Sequence, residues 1–72
     1  MTGAELKAIR DALDLSAAQM ARALGYSGSG RNLAVALRRL ECDARPIPLC
    51  VERLALMYAR HGIPMQWRLD IY

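Results

Sequence analysis

A hydroxyl residue followed three places later by Glu or Gln occurs twice near the start of the chain, as Thr2 with Glu5 and as Ser16 with Gln19. Such a pair opens a helix, because each side chain satisfies a backbone amide that the first helical turn leaves unpaired. Apolar residues at helical spacing follow both: Leu6, Ile9 and Leu13 after the first, and Met20, Ala21 and Leu24 after the second. The spacing predicts a helix over about residues 3–14 and another over Ala17–Leu24. Gly25 stops the second, since it can take the left-handed conformation that ends a helix. So short a helix is marginal alone and needs neighbours packed closely on its alanines.

The same reading continues through the chain. Tyr26–Gly30, with two Ser and two Gly, forms a turn in which Ser27 or Ser29 caps a third helix reaching about Glu41. On that helix Leu33, Ala36, Leu37 and Leu40 share one arc, while Arg31, Val35, Arg38 and Arg39 cluster opposite, with Asn32 at the edge of the basic side. Cys42–Ile47 connects to a fourth helix with Pro48 in its first turn, ended at about His61 by Gly62 and Pro64. Its inner stripe is Val51, Leu54, Ala55 and Tyr58; Leu49 and Leu56 fall on the far side beside Arg53 and Arg60. In the last segment Trp67, Leu69 and Ile71 alternate with Arg68, Asp70 and Tyr72, which predicts a short C-terminal strand or an extended tail. The expectation is an all-α, four-helix domain over residues 1–64 and a tail over 65–72 available for dimerisation.

Composition narrows the function classes. Seventy-two residues, 54% hydrophobic and 24% charged, suit one small domain rather than a disordered segment. Apolar runs such as Leu33 to Leu37 are far below the roughly 20 residues of a membrane span, and the N-terminus lacks the pattern of a signal peptide. A cytoplasmic protein without membrane association is expected. A core this small rarely supplies more than about 3–5 kcal/mol, so an additional source of stability is expected. Cys42 and Cys50 form no Cys-x-x-Cys, and His61 is the only histidine, so one chain offers no four-ligand zinc site. Both cysteines read as small apolar fillers. A second copy of the chain remains as the stabilising partner.

Enzyme constellations are missing too. The cluster Gly25-Tyr26-Ser27-Gly28-Ser29-Gly30 follows a helix rather than a strand, which is the wrong context for a dinucleotide loop. Cys50 and His61 share one helix about 16 Å apart along its axis, too far to act as a nucleophile pair. No catalytic residue, cofactor or metal is expected.

Charge points elsewhere. Through residue 30 the basic and acidic residues cancel; beyond it seven Arg face Glu41, Asp43, Glu52 and Asp70. Arg makes two parallel hydrogen bonds to a phosphate or a guanine edge. Two short helices joined by a small-residue turn, the second bearing Arg outward, have the form of a helix-turn-helix that places its second helix in the major groove. Candidate base contacts are Arg31, Asn32, Val35, Arg38 and Arg39, and Ser27, Ser29 and Arg45 are candidate contacts to the DNA backbone. Leu49 and Leu56, with Trp67, Leu69 and Ile71 of the tail, make a candidate dimer interface.

The stretch from Leu15 to Gly25, with Arg38-Arg39-Leu40-Glu41 and then Arg45-Pro46-Ile47-Pro48, resembles the phage repressor and Cro-like (XRE) helix-turn-helix family over about residues 4–60. The Tyr-Ser-Gly loop and the Arg-His-Gly-Ile-Pro ending resemble extended members found among mobile-element regulators. The resemblance implies a transcriptional regulator, commonly a repressor of its own promoter. The family's phosphate contact at the start of helix two falls on Ala17, which cannot make it; Ser16, through its neighbouring amides, and Gln19 are the backbone-contact candidates there. Leu40 stands where the family has an aromatic, and Glu41 matches its structural acid. The segment between Gly25 and Glu41 is longer than the usual pattern.

The leading expectation is therefore a homodimer that binds a palindromic operator in double-stranded DNA. A different class also fits the sequence: an antitoxin-like or inhibitor module whose main partner is a protein, bound through Leu49, Leu56 and the tail.

Overall fold

The computed structural model describes residues 1–71, the side chains of Leu69 and Asp70 apart. Its helices are α1 (Gly3–Ala12), α2 (Ala17–Ala23), α3 (Gly30–Glu41), α4 (Leu49–His61) and α5 (Met65–Ile71). Both capping boxes form as the sequence predicts, the Thr2 and Ser16 hydroxyls accepting from the amides of Glu5 and Gln19. Three helix ends share one closing device. The residues after the caps of α1, α2 and α3 are Asp14, Gly25 and Asp43, all at positive φ, and the next amide donates back into the last turn: Leu15 to Arg10, Tyr26 to Ala21, Ala44 to Arg39. Aspartate tolerates this conformation better than most residues, which is why helices without a terminal glycine still stop sharply.

Helix α3 lies across α2 and also packs on α1; α4 closes on α1, and α5 on α2. The largest fully buried side chains, Leu6, Met20, Leu33, Leu37 and Tyr58, come from four of these helices, which therefore share one core. Small residues allow the close approach. Ala17, Ala21 and Ala23 of α2 are buried, and a Cβ on Gly3 would stand 2.0 Å from the Glu41 carbonyl oxygen. Tyr58 reaches across from α4, and its hydroxyl donates to the carbonyl of Ala23, which the end of α2 leaves without a helical partner. Among the described residues, no helix is long and apolar enough to cross a membrane.

Two expectations are corrected here. The segment read as a strand or extended tail is the helix α5, and it belongs to the domain. An isolated strand would leave its amides and carbonyls without partners in an all-helical protein, whereas a helix pairs them internally. Residues i and i+4 share a face in both periods, so Trp67 and Ile71 are compatible with either. In the helix Ile71 is buried in the chain's own core, which removes it from a strand-like dimer surface, and the Trp67 ring meets Tyr58 edge-on at 6.2 Å. The Leu69 side chain lies outside the described residues. The cysteines are the second correction: Cys42 and Cys50 are both exposed and fill no core space.

Replacing Tyr58 by Phe keeps the ring and strands the Ala23 carbonyl, so thermal unfolding of Tyr58→Phe is expected to show a loss of about 1–2 kcal/mol. Burial also raises the Tyr58 pKa. A phenol that holds its proton longer when folded favours the native state below the ordinary tyrosine value near 10 and loses that contribution as pH rises through the folded value. Alkaline destabilisation is therefore expected to be shallower in the Phe variant.

Candidate nucleic-acid interface

The third helix is set by its two ends. Ser29 caps it, its hydroxyl accepting from the Asn32 amide at 3.3 Å, and the left-handed Asp43 closes it. Asp43 also accepts from the Gly3 amide at 2.8 Å, so the end of α3 is tied to the beginning of α1. With Leu33, Leu37 and Leu40 buried, rotation about the helix axis is fixed, and Arg31, Asn32, Val35, Arg38 and Arg39 are all exposed. Their centre line runs through Val35, with Arg31 and Arg38 to one side and Asn32 and Arg39 to the other at roughly 100° per residue.

An ion pair from α1 shapes the electrostatics. Arg10 donates from Nε to Glu41 Oε2 at 2.6 Å and from Nη2 to Glu41 Oε1 at 3.3 Å, while Nη1 meets the Leu15 carbonyl at 3.2 Å. Glu41 is the only carboxylate in α3 and sits three residues from Arg38, where it could otherwise neutralise that guanidinium. Held by Arg10, with 8% of its side chain exposed, it is engaged elsewhere. The second ion pair among the described residues joins the Met1 amino group to Glu52, and that contact raises the amino group's pKa. Arg31, Arg38, Arg39 and Arg45 have no carboxylate partner among the described residues.

Two hollows flank the helix. One, of 530 Å³, is lined by Lys7, Arg10, Arg38, Glu41 and Cys42. The other, of 160 Å³, is lined by Tyr26, Ala36, Leu40 and the two arginines Arg39 and Arg45. The structure thus brings Arg39 and Arg45 together, and it brings Arg38 to Lys7. Ser16 caps α2 as the sequence predicts, and Gln19 is held by the same capping box. Their side chains cap each other's backbone, Gln19 Oε1 accepting from the Ser16 amide at 2.9 Å, so Gln19 turns back rather than outward. Ala17 is buried beside them. Ser27 is exposed in the turn, and Ser29 is spent on its cap.

Lys7 and Tyr26 join the site without a signal of their own in the sequence, where Lys7 is one charge among cancelling neighbours and Tyr26 part of a turn. The partnership of Arg10 with Glu41 carries no local signal at all, because thirty-one positions separate them. A further cation, Arg22, places its Nη2 3.8 Å from where a Cβ on Gly30 would stand, beside the start of α3.

On the apolar side, Leu49 and Leu56 of α4 are 58% and 51% exposed, with Met57 next to them at 42%. Comparison with known proteins returns nothing to set beside this arrangement: no family model, curated protein or solved structure matches the chain.

Removing Arg10 would leave the Glu41 carboxylate in a mostly buried place without its counter-charge. Arg10→Ala is expected to lower stability by roughly 3 kcal/mol in chemical denaturation. Arg38→Ala, whose side chain has no such partner, is expected to change stability by less than about 0.5 kcal/mol.

Proposed function

We propose that this chain is a sequence-specific DNA-binding transcriptional regulator. In this reading α2 and α3 form a helix-turn-helix, α3 enters the major groove, and two copies bind a palindromic operator. The observation that carries it is the outer face of α3: Arg31, Arg38 and Arg39 stand exposed without carboxylate partners among the described residues, and the helix's one acid is turned to Arg10. A face of this kind is stabilised by a polyanion, and a groove about 12 Å wide admits one helix. The small turn between α2 and α3, and the short α2 packed across α3, are compatible with the same docking.

The homodimer rests on α4. Leu49 and Leu56 lie a helical repeat apart and stay exposed with Met57, an apolar face that a second copy would cover. Paired chains would present their third helices about 34 Å apart, one turn of DNA, and would add the specificity that a single small module lacks. Repression of the chain's own promoter is proposed from the resemblance to phage repressors alone. The same α4 face supports a second reading, an antitoxin-like or inhibitor module whose main partner is a protein.

Titration of a duplex taken from upstream of the chain's own gene, at about 50 and about 200 mM salt, separates the two. Binding through α3 is expected to weaken with a logarithmic slope of about −0.9 for every phosphate neutralised. Absence of duplex binding at the lower salt would favour the protein partner. In sedimentation, Leu56→Glu is expected to shift dimer to monomer and weaken operator binding while the helical circular dichroism persists. A fully dimeric Leu56→Glu protein would exclude Leu56 from the interface.

A further inference from the structure

We infer that α3 docks as a ridge between two cationic banks, one formed by Lys7 with Arg38 and the other by Arg39 with Arg45 and Tyr26, each holding the phosphates of one DNA strand, so that base reading falls to Arg31, Asn32 and Val35. The inference rests on the DNA-binding reading above and changes the base-contact role that the sequence suggests for Arg38 and Arg39.

Both flanks of the helix lie close to the phosphate walls, because a helix with its side chains is about 10–12 Å across, nearly the width of the major groove. Arg31 shares one flank with Arg38 and Asn32 the other with Arg39, so position along the axis makes the division. The first turns of a recognition helix enter deepest, which favours Arg31, Asn32 and Val35; Arg38 and Arg39 lie in the last turn.

The rest of the molecule reinforces each flank separately. Arg38 shares its hollow with Lys7 from α1, and the carboxylate there, Glu41, is neutralised by Arg10. Arg39 shares its hollow with Arg45 from the connector and with the phenol of Tyr26, a hydrogen-bond donor, and no acid lines it among the described residues. Each bank thus carries two guanidinium or ammonium groups without a carboxylate partner among the described residues, drawn from different segments of the chain. Cations gathered from α1 and from a loop onto the two sides of one helix fit a pair of strands better than a row of bases.

Phosphate contacts fix register and add affinity on every sequence, whereas base contacts select the sequence. The test is selection from a random-sequence duplex library with the wild-type protein and with Lys7→Ala, Arg38→Ala, Arg39→Ala, Arg45→Ala, Arg31→Ala and Asn32→Ala, each first checked by thermal melting. The four bank variants are expected to enrich the wild-type motif unchanged, to bind it more weakly, and to lose about 0.9 per protomer from the salt slope, about 1.8 for the paired chains. Arg31→Ala and Asn32→Ala are expected to alter the motif at particular positions. A changed motif with Arg38→Ala or Arg39→Ala, or an unchanged slope with Lys7→Ala and Arg45→Ala, would overturn the two banks while leaving DNA binding intact. Wild-type protein that enriches no motif and binds no duplex would overturn both readings together.

Discussion

The bidentate grip of Arg10 on Glu41 does two jobs that the rest of the molecule relies on. It clamps α1 to the end of α3, beside the place where Gly3 lets the two backbones touch and Asp43 accepts from the Gly3 amide. It also removes the third helix's one carboxylate from its arginines. A free Glu41 would sit within reach of Arg38, three residues back, and that favourable contact would weaken any attraction to an anion outside. Stability and charge display are thus linked through a single pair, and the outward cations are a consequence of how α1 is attached.

The remaining architecture serves to hold α3 still. Its apolar residues Leu33, Leu37 and Leu40 are fixed by α2 and α1, and α2 in turn is capped at its end by the Tyr58 hydroxyl from α4. A seven-residue helix such as α2 has little intrinsic stability; it persists because buried alanines bring its backbone close to its neighbours. The last helix then covers α2 with Ile71. Away from the arginine ridge, α4 presents an apolar outer face. That face, with Leu49, Leu56 and Met57 exposed, is where our reading places the partner chain.

Local signals carried much of this fold in the sequence. The capping boxes at Thr2 and Ser16, the glycine at position 25 and the leucine arc of α3 are short-range chemistry, and they locate the first three helices to within a residue or two, as Pro48 and Gly62 do the fourth. What depended on distant partners was not visible. The tail's alternation resembled a strand because Trp67 and Ile71, four apart, suit both periods, and only the Tyr58 ring and the core decide for the helix. The cysteines were assigned by residue type, and the packing leaves both outside. In the interface, exposure of the arginines followed from the helical wheel, whereas the Lys7–Arg38 and Arg39–Arg45 associations arise from chain segments that meet only after folding. Gln19 shows the reverse: the capping box that announced its helix also occupies the side chain.

The central claim is that the third helix's guanidinium groups are free to receive a duplex while that of Arg10 is not. Arginine Nε resonances of isotope-labelled protein, followed as duplex is added at about 50 mM salt, read this directly. Arg31, Arg38, Arg39 and Arg45 should move and Arg10, held by Glu41, should stay in place. Movement confined to Arg53 and Arg60 of α4, or no movement anywhere, would contradict the account.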